Sequence, residues 1–432
     1  MSSPDDQFSK VENLERGPKM GSPQIENGDS QLESSNTARE VSTFFEPTIK
    51  LVYETLNRVA NHSWEWGTQT QVILEGFYPS LSVYSTNHML PLSTQDGRLS
   101  SPNTLLKLLD RILANRNKTA LPIIDGDGAA GDPASLGVAV MIAAATTSGS
   151  ISKNYQMLAD NQMKWLLNYV PRSPRGALSH RNSELQFWSD FIYMAPPFIA
   201  YYGAWSSNAT LLRFAYDQAR LYRGTLQDPN HKLWIWNHIL KGALKIDYTP
   251  VFITRNGWAA AGMMRIYATF HNIRNKELRK QTQVWRENLA HWAAEIIIGA
   301  YEFQDPETGL LPNYLASNDT KHNYTECSGT AIIASAAYRL ISLNSSYTSI
   351  LPMSQIEKAR VALLTKYTNP RTGAVAPVVD PLDWNSPKAF NGSKPETGFV
   401  SPEGQAFVLL LHESWKAYAQ LLNTNTKNED QQ

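Results

Sequence analysis

A chain of 432 residues, 42% hydrophobic, 10% aromatic and 18% charged, can bury one large core, and nothing in its middle has the composition of a linker. Lys+Arg and Asp+Glu balance at 39 each, which removes any electrostatic case for nucleic acid or an anionic membrane as partner and leaves a small or weakly charged ligand. One cysteine, Cys327, excludes an internal disulfide, and the Cys/His spacing of a structural zinc site is absent, so the simplest expectation is a reducing, cytoplasmic compartment.

Residues 1–40 lack a basic segment followed by an apolar run and read as a disordered tail rather than a signal peptide. From about Val41 the pattern is helical. Glu46 to Ala60 carries apolar residues at helical intervals, and Ser101-Pro102 with the amphipathic run after it reads as a cap, a first-turn proline and a helix. Further helices are expected near Ala134–Thr147, Tyr155–Val170, Gln186–Ala204, Leu211–Thr225, Trp258–Asn272, Lys276–Tyr301, Thr330–Leu343, Gln355–Tyr367 and Gly404–Leu422. Sustained strand alternation is missing and no apolar run could span a bilayer, so the expectation is an all-α domain over 41–424 and a second disordered tail over 425–432.

The loops repeat. Pro174, Pro229, Pro306 and Pro370 each lead a turn that follows a helix and precedes apolar residues, and three of the four turns carry a glycine for a positive φ, at Gly176, Gly309 and Gly373. A helical hairpin plus loop fits the spacing, and such units either form an open solenoid or close into a ring.

Chemistry gathers at a few stations along this frame. Asp190 lies among Phe187, Trp188, Phe191, Ile192, Tyr193 and Met194, where an ionised group is costly and desolvation raises a carboxyl toward the range useful for proton transfer. A helix N-cap is the plain alternative. Asp132 follows a Gly-rich loop, residues 125–131, with a surface likeness to a calcium loop, but the closing glutamate is missing and no metal is expected. His180 stands ten residues before Asp190, and His238 sits among large apolar side chains, as core histidines do. Arg255-Asn256-Gly257-Trp258 leads into a small-residue helix whose free N–H groups could face an anion, and Glu326, Ser328 and Gly329 make a similar start. Capping explains each of these alone.

In order, these features resemble the unsaturated glucuronyl and rhamnogalacturonyl hydrolases of glycoside hydrolase families 88 and 105, within the six-hairpin glycosidase superfamily. The likeness is carried by Trp64-Glu65-Trp66-Gly67, by Asp132 five residues before Gly137, and by His180 ahead of a W-x-D-x-x-Y-M run with Asp190. It continues through His238, Asn256-Gly257-Trp258, the E-x-S-G-T-A string at Glu326 and the Gly404 helix, and spans about Val41 to Leu422. The resemblance implies an (α/α)6 barrel and an enzyme that hydrates the C4=C5 double bond of a 4,5-unsaturated uronic acid at the end of a short oligosaccharide, without metal or organic cofactor. By position Asp190 is the implied proton donor and acceptor and Asp132 the second catalytic carboxylate. His180, His238, Arg255, Asn256, Trp66, Trp188 and Trp258 are then expected at the substrate, with Trp258 stacked on it and Arg255 at its carboxylate. The family's W-x-R-G-N-G-W loop reads here Phe252-Ile253-Thr254-Arg255-Asn256-Gly257-Trp258, and its frequent D-D pair reads Ser189-Asp190. Two alternatives stay open: the barrel as a cyclase or dehydratase acting on another small molecule, and a non-catalytic sugar-binding protein.

Overall fold

Alternation between a partly exposed helix and a largely buried one organises the molecule. The computed structural model describes residues 47–92, 101–228, 230–234, 237–241, 244–248, 251–317, 323–382 and 400–429. The expected tail over 1–40 lies outside the described residues. Six helices form an outer layer: α1 (47–59), α3 (Asn103–Leu113), α5 (Gly149–Asn168), α8 (Ala209–Leu226), α11 (Gln283–Tyr301) and α13 (Met353–Lys366). Each is followed by an inner helix: α2 (Ser63–Gly76), α4 (Gly137–Thr146), α7 (Pro196–Trp205), α9 (Ile253–His271), α12 (Cys327–Leu343) and α14 (Pro402–Glu429). Short helices α6 (Phe191–Met194) and α10 (Lys276–Gln281) fill in between.

The inner helices pack in sequence, α2 on α4, α4 on α7, α7 on α9, α9 on α12 and α12 on α14, and α14 returns to α2. That last contact closes the ring, and the chain is an all-α (α/α)6 barrel of six hairpins. A helix with neighbours on every side has no solvent face to write polar residues on. Accordingly α4 (GVAVMIAAAT) is buried from Gly137 to Ala144, and α9 is buried at every position from Asn256 to Phe270. Small residues set how closely the inner helices and their neighbours approach. A Cβ at Gly262 would fall 2.3 Å from the Ile192 carbonyl oxygen, so α9 lies directly against the segment that follows Asp190.

The repeated turns share one hydrogen-bond pattern. Asp228, Asp305 and Asn369 each donate their N–H to the carbonyl five residues on, of Leu233, Leu310 and Ala374, and accept from the N–H four residues on. That fourth residue is in the left-handed region in all three, as Lys232 (φ 59°), Gly309 (φ 76°) and Gly373 (φ 70°). Gly176 supplies the positive φ, 92°, in the earlier turn.

Three differences from the sequence reading stand out. The helix expected over Gln186–Ala204 is broken: Leu185–Trp188 is a strand, β1, and α6 and α7 follow it. β1 pairs antiparallel with β2 (Asn237–Lys241), which pairs with β3 (Leu244–Tyr248). This short sheet sits on the helical ring, and its alternation is too brief to stand out among helical periods. Two small pairs, β4 (Val251–Phe252) with β6 (Tyr314–Leu315) and β5 (Leu311–Pro312) with β7 (Thr325–Glu326), brace the starts of α9 and α12. Finally α9 begins at Ile253 instead of Trp258, and α14 runs over Pro402–Glu429 instead of Gly404–Leu422.

Overpacking against a backbone carbonyl cannot be relieved by a rotamer change, so Gly262→Ala should cost about 1–3 kcal/mol. Denaturant unfolding would read this; a loss below about 0.5 kcal/mol, the scale of ordinary surface changes, would mean that α9 and the Asp190 segment are not in tight register.

Candidate active site

Because every inner helix follows an outer one running the other way, the inner helices start at the same end of the ring. Four of these starts and the short helix ahead of α7 line one cavity of about 200 Å³: Trp64 from α2, Asp132 from the 3-10 turn Asp132–Leu136 ahead of α4, Asp190 and Met194 at α6, Arg255 in the first turn of α9, and Glu403 in the first turn of α14. Gly126, Asp127, His180, Arg181, Trp188, Pro381 and Leu382 complete the lining. Free N–H groups and the positive end of each helix dipole converge there, which suits both carboxylates and an anionic ligand.

Asp132 and His180 are brought together by backbone pairing. Ala130 N–H donates to the His180 carbonyl at 2.7 Å, Asn182 N–H to Gly128 at 3.0 Å, and His180 N–H to Gln186 at 2.7 Å. These bonds stitch the Gly-rich loop onto the strand that carries Trp188. No group of residues suited to a metal ion occurs among the described residues.

Asp190 is 3% exposed. Its side chain makes no capping bond to α6 and forms an ion pair with Arg255 instead. Burial raises its carboxyl above the ordinary value, and the Arg255 guanidinium opposes that rise. Asp132, also buried, is pushed up to about 7 by burial and then by the Asp190 charge, against Arg181 and Arg255. Its Oδ1 and Asp190 Oδ2 are buried with no hydrogen-bond partner among the described residues. The Asp190 charge thus favours the protonated form of Asp132, and a buried carboxyl that keeps its proton toward neutrality suits an acid/base step. His180 is held down to about 3 by burial, reinforced by Arg181 and Arg255, and so is a neutral imidazole. It stacks on Trp188 at 4.6 Å, and Arg181 lies over the same indole at 5.9 Å.

The structure therefore unites Asp132, His180, Trp188, Asp190 and Arg255. Three other expected contacts need correction. Trp258 is fully buried, edge-on to Tyr193 at 4.5 Å and to Phe407 at 4.6 Å, and cannot stack on a ligand, because the earlier start of α9 turns it into the ring core. Asn256 is fully buried too: its Oδ1 accepts from Trp234 N–H at 2.8 Å and its Nδ2 donates to the Trp234 and Phe252 carbonyls at 2.9 Å each, a role in holding the loop. Trp66 donates to the Ala60 carbonyl at 2.9 Å and is not part of the cavity lining, whereas Trp64 is. The backbone of His238 pairs with Phe187 in the sheet; its side chain lies outside what is described.

Glu403 and Arg181 are the additions. Glu403 Oε1 accepts from Trp64 Nε1 at 2.9 Å, and burial, opposed by Arg255 and reinforced by Asp190 and Glu65, pushes its carboxyl up to about 8. A glutamate in the first turn of an apolar helix was the available signal, masked by how often such residues merely complement the dipole. Glu326, by contrast, caps α12 through the N–H groups of Ser328 and Gly329, and is not part of the lining.

Among curated proteins none matches this chain. Solved structures do share its fold. A glycoside hydrolase of family 105 from C. acetobutylicum ATCC 824 superposes with a TM-score of 0.62 at 17% identity, over 85% of this chain and 99% of that one. A possible GH105 member from Salmonella enterica serovar Paratyphi A gives 0.60 at 15%, over 91% and 96%, and a family 88 glycosyl hydrolase from Bacteroides vulgatus gives 0.60 at 14%, over 88% and 98%. The sequence profile of Glycosyl Hydrolase Family 88 matches residues 52–380, most of the ordered frame and four of the five helix starts that line the cavity. The chain belongs to glycosyl hydrolase family 88.

Proposed function

We propose that this glycoside hydrolase hydrates the C4=C5 double bond of an unsaturated uronic acid at the non-reducing end of a short oligosaccharide and thereby releases the neighbouring sugar. The observation that carries the reading is the pair of buried carboxyls, Asp132 and Asp190, in one small cavity with Arg255, Arg181 and the Trp188 face. The proton that rests on Asp132 passes to Asp190 and from it to C4, and positive charge develops at C5 and the ring oxygen. Water adds at C5 and returns a proton to Asp190. The resulting C5 hemiketal opens, and its rearrangement expels the neighbouring sugar. Asp132 shares the proton and orients the water or the ring hydroxyls, and its repulsion of Asp190 favours the state in which one of the two is protonated. Arg255 fixes Asp190 and neutralises it after transfer, while neutral His180 and Trp188 form the wall against which the ring lies.

The commitment of Arg255 to Asp190 supports a second reading, in which the acid acts on a small molecule without a carboxylate. Turnover of such a compound, with no loss of alkene absorbance from unsaturated disaccharides, would select it.

Asp190→Asn keeps the shape of the side chain and removes the acid, so the loss of alkene absorbance should slow by at least about a thousandfold, near the upper range of one general acid/base, in a protein that is still folded by circular dichroism although the stranded Arg255 lowers its melting temperature. A variant retaining most of its rate would remove Asp190 from the mechanism. The proton on Asp132 also makes a prediction that needs no substrate. Its folded value lies above the ordinary 3.8, so the stability it lends is full below 3.8 and is lost as pH rises through about 7. Asp132→Asn cannot ionise and should melt above the parent at about pH 8, with the gap closing toward about pH 4; equal melting temperatures at alkaline pH would contradict the assigned protonation.

A further inference from the structure

The uronide reading leaves Glu403 without a role. It is 2% exposed and lines the cavity beside Asp190 and Arg255. Trp64 Nε1 holds its Oε1 at 2.9 Å, across the seam where the first and last inner helices close the ring. Its other oxygen, Oε2, is buried and has no hydrogen-bond partner among the described residues. A carboxyl pinned on one side and unsatisfied on the other is costly to bury unless a ligand completes it.

We propose that Glu403, oriented by Trp64, is a specificity-determining residue whose unpartnered Oε2 hydrogen-bonds to the carboxylate of the substrate uronic acid. The assignment rests on the uronide reading above. Four carboxyls, Asp127, Asp132, Asp190 and Glu403, share the cavity lining with two guanidiniums, Arg181 and Arg255, and Arg255 is occupied by Asp190. Four carboxyls against two guanidiniums favour an anion only where carboxyls keep their protons, because His180 carries no charge to offset them. The charged groups acting on Glu403 are Arg255 on α9, Asp190 ahead of α6 and Glu65 on α2, and burial outweighs Arg255 to push the carboxyl up to about 8. A carboxylic acid kept neutral by its surroundings is a strong donor to an acceptor-only oxygen, whereas the ionised form cannot donate at all.

The test is calorimetric titration of the full-length protein with a saturated glucuronate-terminated disaccharide and its glucose-terminated counterpart. It is done in an Asp132→Asn background, which removes the other lining carboxyl pushed up to about 7. Affinity for the uronate sugar should fall by about tenfold per pH unit above about pH 8, as one-proton linkage requires, while the neutral sugar shows no such fall. Adding Glu403→Gln should weaken uronate binding several-fold at about pH 6 and abolish the alkaline fall; Glu403→Ala should weaken it further, because no donor remains. Trp64→Phe should move the fall to higher pH, since the indole N–H favours the ionised carboxyl. An alkaline fall that survives Glu403→Gln, or that stays in place in Trp64→Phe, overturns the assignment and leaves the uronide reading standing. Binding of the neutral sugar with none of the uronate sugar at low pH overturns both.

Discussion

The Arg255–Asp190 ion pair is the interaction on which the site depends. It joins the first turn of α9 to the segment ahead of α6, so it couples two staves of the ring where they open to solvent. Both groups are largely withdrawn from water, and removing one partner of such a pair typically costs about 3–5 kcal/mol because the other charge is stranded. The pair also sets the chemistry around it. Arg255 limits how far burial raises Asp190, and the charge on Asp190 in turn pushes Asp132 and Glu403 upward. One guanidinium thereby opposes the rise that burial imposes on all three buried carboxyls.

Such a density of buried acid is tolerable only at this end of the barrel. The inner helices all begin here, and their unpaired N–H groups and dipoles favour negative charge. Elsewhere in the ring, Glu75 and Arg339 pair directly in a buried bridge between α2 and α12. The contrast explains why unsatisfied carboxyl oxygens collect at the helix starts. The six-hairpin fold builds a polar mouth as a by-product of its topology, and side chains in a few first turns then specify what the mouth accepts.

Much of this was legible in the chain itself. The apolar setting of Asp190 picked out a carboxyl that is buried in the cavity lining, and the loop before Asp132 and the histidine ahead of Asp190 are part of that lining too. The Pro-led turns revealed the repeat because a turn needs particular residues at particular φ values whatever surrounds it. The misplaced residues have one common origin. Trp64 and Trp66 are roughly 200° apart around a helix, so identifying which of them faces a ligand requires knowing the phase of α2 against its neighbours. Similarly, a five-residue shift in the start of α9 moved Arg255 onto Asp190 and sent Trp258 into the core.

Local physical chemistry, written along the chain, determined the helical periods, the turn geometry, the lack of net charge and the few acids placed among apolar residues. Whether the hairpins close, which of two neighbouring tryptophans lines the cavity, and that an acid from the last hairpin meets an indole from the first were decided only by tertiary packing. Glu403 and Trp64 are 339 positions apart, and no period, propensity or spacing carries information over that range; their meeting exists only because α14 returns to α2 and completes the ring.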